Sequence, residues 1–379
     1  MTKFICFCIL LMNWIVIPIK GVDDQFRLPK ETFFDIVCMG IIVIALYRGV
    51  RYLYNNKCLA WLTGWVLATV FFNWYIPYTN TFGGVQTIKY ITISPTLHFI
   101  LALVATFMAL STLEKKDFVT IAKTICISAT LLSVFGILQL TSLNPGGARL
   151  KNMVGGNNFT TLIGHPTLTA HYIVMALPLF IAFFKDFRFI IGFIICLIGL
   201  SLSGSTISML VFGLMFPVML LLIFRNRRIA IWLFVIFFII VGVLAYMNLT
   251  PERIEIELNG RMEIWNIAIE HLKDNPLFGQ GLGSFKAFND KNLNGKILVN
   301  PHCDWLLIAI ELGLIGVFLS VLTIINSLCR FDYSITNILG IGYLTSFVSF
   351  ILIMCGSFPL LTAPTALIGL VGFWAIEKS

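Results

Sequence analysis

The sequence predicts an all-α polytopic membrane protein with about twelve transmembrane helices and one long segment outside the membrane. Hydrophobic residues make up 58% of the 379 positions and charged residues only 12%, about half the charged fraction of a soluble domain. The apolar residues form continuous runs of about 20 rather than an alternating pattern, which favours spanning helices over barrel strands. We therefore interpret residues 1–379 as a single integral membrane domain.

The hydropathy pattern divides the chain into twelve candidate spans. In chain order they cover about residues 3–20, 33–50, 58–78, 96–113, 118–140, 166–184, 188–203, 205–223, 229–247, 302–328, 336–353 and 363–377. Only Ser203-Gly204-Ser205 separates the seventh span from the eighth. No small-x-small cleavage site follows the first apolar run, so we interpret it as a span and not as a signal peptide.

The distribution of basic residues predicts the orientation. Alternate short connections are rich in Lys and Arg, which is typical of cytoplasmic loops, whereas long loops do not follow this rule. The bias places both termini in the cytoplasm. It places four segments outside: 21–32, 79–95, 141–165 and 248–301.

Charge and cysteine usage exclude several other classes of protein. The formal net charge of +8 resides in short loops between apolar runs, so it does not indicate a nucleic-acid partner. The nine cysteines lie mostly in or beside apolar runs and include no CxxC pair. They therefore predict neither a disulfide framework nor a metal site, and we expect no cofactor.

The outer segment 248–301 is the main polar part of the chain. Thr250-Pro251 predicts the start of a short helix, and a second helix should begin near Gly260 and end before Pro276. The second helix carries one apolar stripe: Ile264, Trp265, Ala268, Ile269 and Leu272. It should lie on the bilayer or on the helix bundle, with Trp265 as an interfacial anchor. A purely structural surface helix would show the same stripe.

Several short motifs lie in and around this segment. They are Gly260-Arg261-x-x-Ile264-Trp265, Asn275-Pro276-Leu277-Phe278-Gly279-x-Gly281-x-Gly283-x-Phe285, Pro301-His302-x-x-Trp305-Leu306 and Glu311-Leu312-Gly313-Leu314-Ile315-Gly316. Upstream lies Gly164-His165-Pro166-Thr167-Leu168-Thr169-Ala170-His171-Tyr172. By their order, spacing and topology, these motifs resemble those of the O-antigen ligase and O-antigen polymerase family. The resemblance covers about residues 85–330.

The resemblance implies an inverting, metal-independent glycosyltransferase of the bacterial inner membrane, with its active site facing the periplasm. Its donor would be a glycan linked through pyrophosphate to a polyprenyl lipid such as undecaprenol. Its acceptor would be a hydroxyl on lipid A core, as in lipopolysaccharide biosynthesis, or on another lipid-linked repeat unit. The motifs do not separate ligase from polymerase.

Arg261 and His302 are the candidate catalytic residues. Cleavage of a sugar–pyrophosphate bond produces an anionic leaving group, and the planar fork of an Arg pairs with two phosphate oxygens at once. An attacking hydroxyl must lose a proton, and a His of near-neutral pKa is the usual base. By residue type alone, Arg261 could equally anchor lipid headgroups and His302 could be an interfacial histidine. The family motif favours function for both.

Two further basic residues are candidate pyrophosphate contacts. Lys89 lies in the outer segment 79–95 and Arg149 in the outer segment 141–165. Interfacial snorkelling would place both side chains similarly. Many family members also carry a Ser-Arg pair where a span begins, whereas the matching residues 201–206 contain no basic residue.

Three residues have supporting roles in this hypothesis. Asp304 could orient His302 if the tenth helix has not yet begun there. Glu311 should lie inside the tenth span and face the bundle, since an acid is costly in hydrocarbon, so a structural hydrogen bond is its expected role. His165 is a candidate acceptor contact, with packing as the alternative.

Two other classes of function remain open. A twelve-span transporter or lipid-linked oligosaccharide flippase would fit the span count, but such proteins tend to show paired repeats and midplane ionisable residues. We find no internal repeat, and the polar residues concentrate outside the spans. A non-catalytic partner in envelope assembly is the third possibility.

Overall fold

The computed structural model describes residues 1–15, 27–48, 56–75, 85–141, 159, 161–223, 251–285, 300–331 and 338–378. Within these ranges the chain forms α-helices and one short 3-10 turn, and no strand. In chain order the helices are α1 (Thr2–Met12), α2 (Arg27–Arg48), α3 (Lys57–Tyr75), α4 (Val85–Thr112), α5 (Lys115–Gln139), α6 (Pro166–Phe180), α7 (Phe187–Ser203), α8 (Thr206–Ile223), α9 (Pro251–Asp274), α10 (Asp304–Arg330), α11 (Ile338–Met354) and α12 (Ala363–Glu377). The predicted all-α class is confirmed for the described part of the chain.

Each predicted span overlaps a described helix, except that the span over 229–247 lies outside the described residues. The bounds differ in places, since α1 is described only over Thr2–Met12 and α4 begins at Val85. Four of them are long and apolar enough to cross a membrane: Lys115–Gln139, Pro166–Phe183, Thr206–Ile223 and Asp304–Arg330. Shorter apolar helices accompany them: Thr2–Met12, His98–Thr112, Phe187–Ser203, Ile338–Met354 and Ala363–Glu377. The chain is therefore a multi-pass helical membrane protein, and the number of spans stays a prediction.

Helix α6 lies at the centre of the bundle. All of its residues from Thr169 to Phe180 are buried, as expected for a helix that is apolar on every side. It packs against α5, α7, α8, α11 and α12. A Cβ at Gly342 of α11 would lie 3.0 Å from the carbonyl oxygen of Pro178, so the absence of a side chain there lets α6 and α11 approach closely.

Polar contacts at one end of the bundle join connections that the sequence places on the cytoplasmic side. The buried carboxylate of Glu377 accepts hydrogen bonds from Asn56 Nδ2 at 3.0 Å and from the Ser327 hydroxyl, and Arg330 Nη1 lies 3.9 Å away. The predicted outer connections meet at the other end, as described below. The grouping of the two ends agrees with the predicted topology, and the direction of insertion stays a prediction.

Helix α9 corrects the prediction of two short helices in the outer segment. Pro251–Asp274 is one continuous helix that runs through Gly260, because a single glycine costs a helix only about 1 kcal/mol. Ala268 is fully buried and packs against α10 in a small cluster with Phe285, Leu307 and Ile310. Helix α9 therefore docks on the bundle through the predicted stripe, although Ile269 in that stripe is exposed.

Helix α10 is broken at Gly313, whose backbone has φ 73° and ψ 178°. The segment 276–281 binds the broken turn through backbone hydrogen bonds. The N–H groups of Gln280 and Gly281 donate to the carbonyls of Ile310 and Glu311 at 2.8 and 2.9 Å. On the far side of the break, Leu314 and Ile315 donate to the carbonyls of Pro276 and Leu277 at 2.8 and 3.3 Å.

We call residues 276–281 and 310–315 together the glycine clamp. A Cβ at Gly279 would lie 2.4 Å from the Gly313 nitrogen, and a Cβ at Gly313 would lie 2.1 Å from the Leu277 oxygen. The indole of Trp65 donates to the carbonyl of Leu312 at 2.9 Å. A broken helix is tolerated at membrane depth where protein groups satisfy its backbone. The glycines thus let the backbone of segment 276–281 contact the backbone of α10 directly.

Candidate active site

Arg261 lies on α9 and contacts the turn that connects α11 to α12. Its Nη1 donates a hydrogen bond to the carbonyl of Gly356 at 2.9 Å, and the side chain is half-buried. A Cβ at Gly356 would lie 2.9 Å from Ile207 Cδ1 and 3.6 Å from Arg261 Nη1. We call residues 355–362 the outer turn. It brings α8, α9 and α11 together.

His302 lies on the other side of the outer turn. Its backbone has φ 52°, a left-handed conformation that a non-glycine residue adopts only when its surroundings hold it. The N–H of His302 donates to Asn300 Oδ1 at 3.1 Å, and its ring lies 5.1 Å from the ring of Phe358 in an edge-on contact. The local backbone thus fixes the point from which the imidazole projects.

Asp304 fastens the outer turn to α10. Helix α10 begins at Asp304, whose fully buried carboxylate accepts a hydrogen bond from the Leu360 N–H at 2.7 Å. Its own N–H donates to the carbonyl of Ser357 at 3.1 Å. The outer turn therefore contacts Arg261, His302 and Asp304. No motif singles out this turn, and its only sequence signal is a short break between two apolar runs.

Arg261 and His302 come within electrostatic range although forty-one positions separate them in sequence. Burial lowers the pKa of His302, and the nearby charges of Arg261 and His165 lower it further. A histidine with a lowered pKa is neutral near pH 7 and can accept a proton. Arg261 and His302 thus both contact the outer turn at one end of the bundle, through Gly356 and Phe358.

His165 lies at the start of α6. It caps the helix, because its Nδ1 accepts a hydrogen bond from the Thr167 N–H at 3.2 Å. His165 is exposed, although desolvation by the neighbouring protein lowers the pKa of its imidazole.

The other predicted site residues are placed as follows. Glu311 lies within the glycine clamp, where its backbone carbonyl accepts the hydrogen bond from the Gly281 N–H at 2.9 Å. Trp265 is half-buried one turn after Arg261 on α9. Lys89 lies within α4, which begins at Val85, so the predicted outer loop over 79–95 is helical from that point. The side chain of Lys89 and the whole of Arg149 lie outside the described residues.

Residues 201–206, which lack the basic residue of the Ser-Arg pair, border the outer turn. Ile207 directly follows them and packs against Gly356. The hydroxyl of Ser203 donates to the Leu200 carbonyl at 2.6 Å, and that of Ser205 donates to Ser208 Oγ at 2.9 Å. Hydroxyls thus occupy the connection between α7 and α8.

The fold and the site together define a helical membrane protein with an Arg- and His-containing site at one end of its bundle. Residues 191–321, about a third of the chain, match the family model described as O-antigen ligase. This part of the chain is similar to an O-antigen ligase domain, which confirms the resemblance predicted from the motifs. The matched range includes Arg261, His302, Asp304 and Glu311, whereas His165 and the outer turn lie beyond it. No curated protein and no solved structure matches the chain.

Proposed function

We propose that the protein is an inverting membrane glycosyltransferase that acts as an O-antigen ligase or polymerase. Its donor is a glycan linked through pyrophosphate to a polyprenyl lipid. Its acceptor is a hydroxyl of lipid A core or of a lipid-linked repeat unit. The observation that carries this proposal is the convergence of Arg261 and His302 at the outer turn. The family match supports the class of reaction.

The proposed reaction is a single displacement at the anomeric carbon. The acceptor oxygen forms a bond to this carbon while the bond from the carbon to the diphosphate oxygen breaks. The electron pair of the broken bond leaves with the diphosphate, and the hydroxyl proton passes to His302. Because attack and departure occur on opposite faces of the sugar, the configuration inverts.

Arg261 stabilises the charge that develops on the diphosphate. A guanidinium carries five N–H donors in a fixed fork. In the described part of the chain, Gly356 uses one of them, which fixes the fork while other donors can pair with phosphate oxygens. Lys89 and Arg149 remain proposed additional contacts.

The site opens to the periplasm in this proposal, with both termini in the cytoplasm and the protein in the bacterial inner membrane. The donor therefore reaches the site from within the bilayer and carries its own activated bond. Membrane lipids surround the bundle, and no nucleotide is needed on the outer face.

The break in α10 does not favour the transporter alternative. Transporters use the unpaired carbonyls and N–H groups of a broken helix to bind substrates and ions. Here the glycine clamp and Trp65 occupy the backbone groups on both sides of Gly313. The break therefore serves docking of the outer segment.

A transfer assay with purified protein and a polyprenyl-pyrophosphate-linked glycan tests the proposal. Arg261→Ala and His302→Ala should each lower turnover by at least about 100-fold. The matched control is Lys273→Ala on the same helix, which removes an exposed cation paired with Glu270 and should leave turnover unchanged. Wild-type turnover in both site variants would overturn the proposed function.

The products formed after gene deletion separate the two activities. Loss of long chains with one repeat still attached to the acceptor identifies a polymerase. Accumulation of polymer on the lipid carrier identifies a ligase.

A further inference from the structure

The hydrogen bond that caps α6 fixes the tautomer of His165. Because Nδ1 accepts from the Thr167 N–H, it carries no proton, and a neutral ring must carry its proton on Nε2. The positive end of the helix dipole disfavours a cation at this position, and partial burial lowers the pKa of His165. His165 therefore presents a neutral Nε2–H donor.

Hydrogen bonds from three helices hold the loop that precedes His165. Thr161 has a left-handed backbone with φ 50°, its N–H donates to Gln139 Oε1 at 2.8 Å, and its hydroxyl lies 2.7 Å from that of Thr169. The buried Lys30 donates to the carbonyl of Leu162 at 2.5 Å. These contacts connect α2, α5 and α6 through the loop that precedes His165.

His165 lies at the same end of the bundle as Arg261 and His302. Helix α6 packs against α11, and Gly342 near the start of α11 contacts Pro178 near the end of α6, so the His165 end of α6 lies beside the end of α11 that leads into the outer turn. Arg261 contacts this turn at Gly356, and the ring of His302 contacts it at Phe358. His302 and His165 lie at the outer ends of α10 and α6, and His171 lies deeper on α6.

Two buried polar side chains on α6 and α11 have no hydrogen-bond partner among the described residues. His171 is fully buried, and neither of its ring nitrogens has a hydrogen-bond partner among the described residues. Ser349 Oγ on α11 is likewise buried and unpartnered there. Gly342 of α11 contacts Pro178 of α6. Because the two helices are antiparallel, moving about two turns from this contact toward the outer turn brings Ser349 of α11 level with His171 of α6. Buried polar groups of this kind indicate a polar ligand or water next to them.

We propose that His165 is a further catalytic residue whose Nε2–H donates a hydrogen bond to the diphosphate oxygen that departs from the anomeric carbon. The inference rests on the proposed function and adds a second imidazole with the opposite role. His302 accepts the proton of the attacking hydroxyl, whereas His165 keeps its proton and stabilises the electron pair on the departing oxygen. Residues 201–206, where many family members carry a Ser-Arg pair, contain no cation. In this proposal the neutral donor of His165 stabilises the negative charge on the departing oxygen instead.

A pair of amide variants separates the donor role of His165 from its capping role. His165→Asn retains an acceptor near the position of Nδ1 and so keeps the cap, but it removes the Nε2–H. His165→Gln carries an amide N–H near the position of Nε2 and gives up the cap. His165→Ser, which keeps a capping oxygen, replaces the Asn variant in the comparison if that variant does not fold.

Turnover, the KM for the lipid-linked donor and the thermal midpoint are measured for each variant. We expect His165→Asn to lower turnover by about 100- to 1,000-fold, the usual effect of removing one donor to a developing oxyanion, with little change in KM or midpoint. The turnover of His165→Gln should be at least about tenfold higher than that of His165→Asn. Its thermal midpoint should be lower, because the Gln variant gives up the cap. Wild-type turnover in His165→Asn, or lower turnover in Gln than in Asn, would overturn the inference.

The outcomes also distinguish this inference from the proposed function. If Arg261→Ala and His302→Ala are inactive while both His165 variants transfer glycan at the wild-type rate, only the role of His165 is wrong. If the wild-type protein transfers no glycan, or if the Arg261 and His302 variants remain fully active, the proposed function itself fails.

Discussion

Replacement of Gly313 by alanine should open the glycine clamp. Gly313 has φ 73° and ψ 178°, a region of backbone space that is essentially restricted to glycine. A Cβ at this position would lie 2.1 Å from the Leu277 oxygen and 2.6 Å from the Gly279 nitrogen. Because both contacts are with backbone atoms, neither can be relieved by the rotation of a side chain.

The expected loss of stability follows from two contributions. The forbidden backbone conformation costs about 1–3 kcal/mol. Separation of segment 276–281 from α10 weakens the hydrogen bonds donated by Leu314 and Ile315, each worth about 1 kcal/mol. The sum is about 3–5 kcal/mol, a large part of the roughly 5–15 kcal/mol that stabilises a folded protein. At about 2–4 °C per kcal/mol, the thermal midpoint should fall by about 6–20 °C.

Thermal unfolding in detergent and amide hydrogen exchange measure this effect. The Gly313→Ala variant should lose protection at the amides of Gln280 and Gly281, which donate across the clamp. The matched control is Gly64→Ala in α3, where a Cβ meets nothing within 4 Å and helix propensity should improve by about 1 kcal/mol. An unchanged midpoint together with unchanged protection in Gly313→Ala would refute the clamp as a source of stability.

Two further outcomes are expected. Only neutral His302 can accept a proton, and its pKa lies below the usual value of about 6.5. The acidic limb of the kcat/KM profile should therefore have its midpoint below pH 6.5, and a midpoint above 6.5 would contradict this. Asp304→Ala leaves the N–H of Leu360 without its carboxylate partner and should destabilise the protein by about 1–3 kcal/mol. The measurement is the thermal midpoint, which should be lower than that of the control Asp274→Ala, a substitution at the exposed end of α9.

The sequence determined the helical class and the positions of most helices, because hydrocarbon thickness requires about 20 apolar residues per span. The tenth span, predicted over 302–328, is the helix Asp304–Arg330. Residue chemistry and family motifs also singled out Arg261 and His302. Each of these features is encoded within a short stretch of chain.

Only the tertiary structure decided how these stretches meet. The break at Gly313, the continuity of α9 through Gly260 and the outer turn beneath Arg261 all depend on partners distant in sequence. Gly356, for example, is 95 positions from the guanidinium that it binds. Hydrophobic periodicity reports which face of a segment is buried, whereas it carries no information about which carbonyl or N–H a distant segment will satisfy.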